Sequence, residues 1–415
     1  MNNCPHLVFI VPTFSWPAPR TIRARRLTKY LSDDYFVTII CFSASLRKVS
    51  INKACRHQTI EIPYSLISRY VTLRRYSDLK VNKNLLFLFR PLSYVLKRFV
   101  FFPDAWSFEN KKILEVLVNM DTPVDVVIAS MMPFSTGEIA AEYKRRVVGT
   151  SDVRVICDIG DPLTHNVINT IKLNNDRLFR YEKAILEACD HIVVTNVGTL
   201  NHYKNTFHIP ESKLSCIPQG ADTRGQINYH QNNIQSNRIN IFYAGIFLKN
   251  VRDPGKLFES LKQYRGSVRL KICGSIDKSF MQGNEHIDFI GEVSHSQVYE
   301  HYQNSNCVLF IDNRKGLQTS GKIYELLALR LPVLFIYTNT DSPVKKFCEQ
   351  FGHIIFVENN KVALDSSVAN LANLIVRAQL WLSSDEGKMY DTEQFSWDSR
   401  AMDFKKLLRN EIDRH

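Results

Sequence analysis

The 415-residue chain is 45% hydrophobic and 23% charged, the composition of a soluble globular protein with length for two domains or more. No apolar run reaches the ~18–20 residues a bilayer-spanning helix needs, and nine cysteines without a C-x-x-C pair exclude a zinc or disulfide framework and read as reduced core residues of a cytosolic protein. The net charge of +12 and pI of 9.2 call for an anionic partner.

The chain enters a strand at once, LVFIVP at 7–12, without the charged n-region of a secretion signal. A loop with Trp16, Pro17, Pro19 and Arg20 follows, then a helix from near Thr21 and a second strand, FVTIICF at 36–42. This is the start of a doubly wound α/β domain, in which ligands bind outside the carboxyl ends of the strands. There is no G-x-G-x-x-G, so no nicotinamide or flavin site is expected.

Residues 64–106 break the rhythm. Arg and Lys at 69, 74, 75, 80, 83, 90, 97 and 98 are mixed with Leu, Phe, Tyr and Trp, and Asp78 and Asp104 are the only acidic residues. Such a stretch suits an anionic lipid surface; the alternative is one or two helices whose basic residues face solvent. The α/β pattern resumes with VDVVIAS (124–130), then a helix over 133–146 with Ser135 or Thr136 as N-cap. VRVICDIGDP (153–162) is a strand ending in Asp158 and Asp161, followed by a helix at about 175–190, HIVVTN (191–196), a short helix and KLSCIPQGAD (213–222).

Residues 223–238 are polar, rich in Asn and Gln and without periodicity, and read as a linker. A second α/β unit begins with INIFYAG (239–245). Helix 254–264, strands 268–274 and 286–291 and helix 294–305 lead to the strand CVLFID (307–312). There a small polar loop, Gln318 to Gly321, opens a helix near Lys322, and Pro332 precedes the strand VLFIY (333–337). A helix start at a strand's carboxyl end offers free N–H groups and the positive dipole end to an anion. Glu325 sits one turn inside that helix. A strand near 354–357, a helix over 363–383 and a terminal amphipathic helix complete the chain.

Five blocks, EKAILEACDHIVVTN, KLSCIPQGAD, FYAGIFLKNVRDPGKLFESL, SGKIYELLALRLPVL and QFSWDSRAMDFKKLL, stand in the order in which they occur in the family-four retaining nucleotide-sugar glycosyltransferases. The chain resembles that family over most of residues 180–410, and the first half matches it by topology and by the RARRLTKYL…YFVTIICFS opening. The resemblance implies a GT-B fold: two Rossmann-like doubly wound parallel-sheet domains facing each other across a cleft. Residues 1–222 would form the acceptor-binding domain, 223–238 the linker and 239–384 the nucleotide-sugar-binding domain. Residues 385–415 would pack back toward the N-terminal domain.

It further implies transfer of a sugar from a UDP- or GDP-sugar to a lipid-linked or polysaccharide acceptor at the cytoplasmic membrane face. Ser320, Gly321 and Lys322, with Lys249 or Arg252 from the loop after 239–245, would stabilise the departing pyrophosphate. Glu325 would accept the ribose hydroxyls, Gly245 would allow close backbone approach, and Asp161 would orient hydroxyls on the acceptor side. Each has a plainer reading. Lys322 and Arg252 would be surface charges, Glu325 a first-turn carboxylate, Gly321 a turn residue and Asp161 a helix-initiating aspartate before Pro162. His165 reads more readily as structural.

The family often carries two glutamates here. Glu325 matches the second, while Leu317 stands at the first, and Ile246 stands where many members have a basic residue. Met131, Met132 and Pro133 occupy the place of a histidine found in some members. No enzymic nucleophile is evident. No D-x-D is present, so neither a metal nor another cofactor is expected. The alternative is a catalytically inactive GT-B-like binding or scaffold protein. Nucleic-acid binding rests on charge alone, with no recognised module.

Overall fold

The computed structural model describes residues 4–14, 18–43, 50–54, 56–63, 102–165, 175–223, 238–247, 251–274, 280–314, 317 and 319–413. The chain divides into two compact units, Met1–Pro218 with Arg400–His415, and Gln219–Ser399. The segment 64–101 and residues 224–237 lie outside the described residues.

The first unit is built on an eight-stranded sheet. Its strands are β1 (His6–Ile10), β2 (Phe36–Ser43), β3 (Ser50–Ala54), β4 (His57–Pro63), β5 (Val126–Met131), β6 (Arg154–Ile159), β7 (His191–Val194) and β8 (Leu214–Cys216). They lie in the order β3-β4-β2-β1-β5-β6-β7-β8. All pairings are parallel except β3 with β4. β1 is buried at every residue, because a central parallel strand is covered on both faces and so reads as an unbroken apolar run. Leu7 and Phe9 face a core shared with α1 (Pro19–Leu31), while Val8 and Ile10 face the opposite core, which holds α2 (Asn110–Val118), α3 (Ser135–Val147), α4 (Asn175–Ala188) and α5 (Val197–Thr206).

The hairpin β3–β4 was not foreseen. SINKA and HQTIEIP are too polar to stand out beside the apolar central strands; β3 is the edge strand and β4 lies next to it, between β3 and β2. Ser135 is not the N-cap of α3 but lies inside its first turn. Its N–H and hydroxyl both donate to Asp104, at 3.0 and 2.9 Å, so a carboxylate distant in sequence satisfies the helix start.

The second unit has β9 (Ile239–Ala244), β10 (Val268–Cys273), β11 (Ile287–Gly291), β12 (Cys307–Ile311), β13 (Val333–Tyr337) and β14 (Ile354–Glu358), in the order β11-β10-β9-β12-β13-β14 and wholly parallel. α6 (Gly255–Leu261), after β9, packs Leu257, Phe258 and Leu261 on one face, and α8 (Lys322–Ala328), after β12, packs Ile323, Leu326 and Leu327 on the other. α7 (His295–Gln303) between them begins at a capping box, Ser294 with Gln297.

α8 is shorter than its apolar pattern predicts. It stops at Ala328 because Arg330 adopts a left-handed φ of 55° and Pro332 follows. The unfavourable φ is held by the Arg330 guanidinium, which donates to the carbonyls of Gly387 at 2.7 Å and Tyr390 at 3.1 Å. The single helix expected over 363–383 is two, α10 (Lys361–Ala369) and α11 (Leu371–Ser383), divided at Asn370. α9 (Pro343–Cys348) precedes them and α12 (Asp385–Met389) follows. The last helix is α13 (Trp397–Ile412). Its Ala401, Phe404, Leu407 and Leu408 fall on one stripe and join the α1 side of the first core, where each large apolar side chain contributes about 1.5–3 kcal/mol of burial. The eight described cysteines are free thiols.

Candidate functional site

In the second sheet the strand order reverses between β9 and β12, since β10 and β11 lie to one side and β13 and β14 to the other. The chain leaves β9 toward one face and β12 toward the other, so the two loops part at the carboxyl end of the sheet. Such a switch point is where open α/β sheets bind ligands. Gly245 and Ile246 end one strand, and Asp312, Asn313 and Arg314 end the other. The Arg314 N–H donates to the Val251 carbonyl at 2.8 Å and ties the two loops together. Gly245 donates to the Cys273 carbonyl at 2.9 Å. Gly274, with φ 129°, passes so close that a Cβ there would lie 2.1 Å from the Gly245 oxygen. Only glycine meets both demands.

Arg252 is half-buried in the loop after β9. Its charge stands beside the Tyr243 hydroxyl and toward Asp312, and its Nε is enclosed without a hydrogen-bond partner. Tyr243 is held by a stacked contact with Phe247, centroids 4.3 Å apart, and its hydroxyl donates to the Ile246 carbonyl at 3.3 Å. Asp312 is buried. Its Oδ2 accepts from the Ser342 hydroxyl at 2.5 Å and its Oδ1 from the Asn313 N–H at 2.8 Å. Burial raises its pKa, and those hydrogen bonds and the Arg252 charge only partly oppose the rise.

At the start of α8, Lys322 Nζ and Glu325 Oε1 form an ion pair of 2.8 Å. Below it lies Tyr302, fully buried, with Lys322 Nζ 5.4 Å from its ring centroid. Burial, then the Glu325 charge, pushes the Tyr302 phenol far above its ordinary pKa, so it stays a neutral hydroxyl. Ser320 and Gly321 are half-buried in the turn before the helix, and a Cβ on Gly321 would lie 2.9 Å from Gln219 Cγ. Leu317 is half-buried, and Lys249 lies outside the described residues. Asp312 and Tyr302 were not singled out from sequence. The visible signal for Asp312 was an acidic residue closing the apolar run CVLFID.

Asp161 lies in the first unit, half-buried in the loop after β6. That loop is held from below by buried Glu182, which accepts the Leu163 and Thr164 N–H groups at 2.7 and 2.9 Å and the Tyr203 hydroxyl at 2.8 Å. Asp158, nearby, is not available to a ligand. Arg23 Nε reaches its two oxygens at 3.1 and 3.0 Å and Arg20 Nη1 reaches Oδ2 at 3.2 Å. Burial works to raise its pKa, but the Arg23 and Arg20 charges outweigh burial and hold it below the usual carboxylate range. His165 is exposed, its ring centroid 4.2 Å from that of His202. Among the described residues no group of three or more His, Cys, Asp or Glu is placed to hold a metal ion.

No family model and no curated protein sequence matches the chain. Solved structures do. Sucrose-phosphate synthase from Thermosynechococcus elongatus superposes with a TM-score of 0.69 at 13% identity, covering 99% of this chain and 100% of that one. HepE from Anabaena in complex with UDP gives 0.63 at 10% identity over 98% and 100%. The catalytic domain of starch synthase IV from Arabidopsis thaliana, bound to ADP and acarbose, gives 0.62 at 10% identity over 99% of each chain. The chain has the GT-B fold. The likeness extends over both units, so the topological resemblance of the first half and the sequence blocks of the second describe one architecture.

Proposed function

We propose that the protein is a glycosyltransferase that moves a sugar, with retention, from a nucleotide-sugar donor to a lipid-linked or polysaccharide acceptor at the cytoplasmic membrane face. The observation that carries the reading is the β9/β12 switch point. Glycine-lined strand ends, Arg252 and the Lys322–Glu325 pair are gathered at one carboxyl rim of a GT-B second unit. Matching structures hold nucleotides: UDP in HepE and ADP in starch synthase IV.

Charge builds on the leaving diphosphate as the glycosidic bond breaks. Arg252, Lys322 and the amides of Ser320 and Gly321 would meet it with fixed positive ends, and Lys249 would add a cation from the same loop as Arg252. Glu325 would exchange its bond with Lys322 for the ribose hydroxyls, freeing Lys322 for phosphate. Asp161 would orient acceptor hydroxyls. The net charge of +12 and the basic aromatic stretch 64–106 support a peripheral position on an anionic inner leaflet. Among the described residues no helix is long and apolar enough to cross a membrane.

The test is a screen of UDP, GDP, ADP and their sugars for thermal protection and donor hydrolysis. Protection by one nucleotide with turnover of its sugar is the expected result, and no protection by any of them refutes the proposal. Leu317, in place of an acidic residue, favours a second reading: binding without turnover would make the protein an inactive GT-B scaffold.

A further inference from the structure

The Tyr302 hydroxyl, on α7, is enclosed and has no hydrogen-bond partner. A buried donor in that state is destabilising, and phenylalanine would fill the same space without it. An unsatisfied group of this kind calls for a reason. The ring is clamped, so the hydroxyl has a fixed place. Phe242 meets the ring edge-on at 5.1 Å between centroids, Tyr299 does so at 6.0 Å, and Lys322 Nζ lies 5.4 Å from its centre.

The group that can satisfy the hydroxyl is Glu325. After burial, the Glu325 carboxylate is the strongest influence on the phenol and keeps it protonated. That carboxylate is turned to Lys322, whose Nζ donates to Oε1 at 2.8 Å. A bound nucleotide breaks this pair, because a diphosphate carries more charge than one carboxylate and draws the ammonium to itself. Glu325 is then a half-buried carboxylate without its counter-ion, which is unfavourable unless another donor takes the place of the ammonium. Tyr302 offers a donor that is neutral, fixed and otherwise unbonded.

We propose that Tyr302 is a positioning residue for the donor site: its hydroxyl takes over the Glu325 carboxylate when Lys322 turns to phosphate, and holds it toward the ribose hydroxyls. This rests on reading the protein as a glycosyltransferase. One Glu325 oxygen accepts from Tyr302 and the other from the ribose. The hydroxyl that is unsatisfied in the resting protein is satisfied in the nucleotide complex.

The experiment uses the full chain and two measurements, urea unfolding without ligand and affinity for UDP, GDP and ADP. Tyr302→Phe alone should leave the urea midpoint unchanged or raise it, because the hydroxyl has no bond to lose. In Lys322→Met the hydroxyl is already engaged by Glu325, so adding Tyr302→Phe should lower the midpoint. In the otherwise wild-type chain Tyr302→Phe should weaken the preferred nucleotide roughly tenfold, and in Glu325→Ala it should weaken it no further. A tyrosine that only fills space would show neither the reversal of sign nor the dependence on Glu325. Three results each overturn the proposal: unchanged nucleotide affinity in Tyr302→Phe; a lowered midpoint or failure to fold in that single variant; a midpoint in Lys322→Met, Tyr302→Phe no lower than in Lys322→Met. If wild type binds none of the nucleotides, the glycosyltransferase reading fails. A lowered midpoint in Lys322→Met, Tyr302→Phe then still supports the exchange of partners at Glu325, and an unchanged one overturns it.

Discussion

Glu325→Gln separates the role of the ion pair in catalysis from its role in the fold. The pair with Lys322 is an i,i+3 contact at the start of a short helix, with side chains 27% and 21% exposed. Such pairs stabilise by about 0.2–0.5 kcal/mol on an open surface, and partial burial raises that to no more than about 1 kcal/mol. Glutamine keeps the shape and a hydrogen-bonding group beside the Tyr302 hydroxyl, so the loss of stability should stay under about 1 kcal/mol. The loss of function should be larger. A hydrogen bond from a ribose hydroxyl to a carboxylate contributes about 1.5–3 kcal/mol, which is roughly 10- to 150-fold in turnover. Glu325→Ala should be similarly inactive, and its loss of stability should also stay near ~1 kcal/mol, because the Tyr302 hydroxyl is already enclosed without a hydrogen-bond partner. Urea unfolding gives the first quantity, and donor hydrolysis at saturating and limiting nucleotide sugar gives the second. If Glu325→Gln turns over within threefold of wild type while remaining folded, the site assignment is wrong.

Other outcomes follow from single contacts. Asp158→Asn leaves Arg23 buried without its counter-charge and should cost about 3–5 kcal/mol in urea unfolding. Because the folded pKa of Asp158 is depressed, its contribution is present above the ordinary carboxylate value and is lost as pH falls through the folded one. Gly274→Ala should destabilise by about 2–4 kcal/mol, from the clash with the Gly245 oxygen and the positive φ, and should also weaken nucleotide binding. His353 is fully buried against Trp381, and burial, with Arg330, pushes its pKa down from 6.5 to about 3. Below pH 6.5 the unfolded chain takes up a proton that the folded one refuses, so stability should fall by up to about 1.4 kcal/mol per pH unit as pH drops toward the folded value. A His353→Leu variant should show a flatter profile between pH 7 and 5; an unchanged slope refutes the assignment.

The apolar runs of β1, β5, β9, β12 and β13 were legible because strands covered on both faces are mostly apolar and carry only the few polar residues that find partners. β3 and β4 were not, because an edge hairpin needs no such run. The split at Asn370 was hidden by apolar spacing that continues across it on both sides. In the site, local order along the chain showed Ser320, Gly321, Lys322 and Glu325 together. It did not show that Tyr302 lies under Lys322, or that Ser342 reaches Asp312, since those contacts are made by the packing of α7 and α9 on the sheet.

Asp158 and Asp312 make the same point about charge. Each closes an apolar strand at the carboxyl rim of its sheet, and from sequence they are equivalent. Their surroundings drive them in opposite directions. Asp312 meets a hydroxyl and an amide, and among the described residues no cation lies within ion-pair distance of it, so burial prevails and its pKa rises. Asp158 meets two guanidiniums and its pKa falls. In the second unit Arg252, beside the Tyr243 hydroxyl, has no ion pair among the described residues, and its Nε is enclosed without a hydrogen-bond partner. In the first unit the carboxylate is consumed by its two ion pairs, and the Arg23 guanidinium it holds is wholly enclosed. An anionic donor group would then find Arg252 and not Arg23. Arg252→Gln should weaken nucleotide binding roughly tenfold or more while urea unfolding changes little. Nucleotide affinity unchanged in that variant would refute this division.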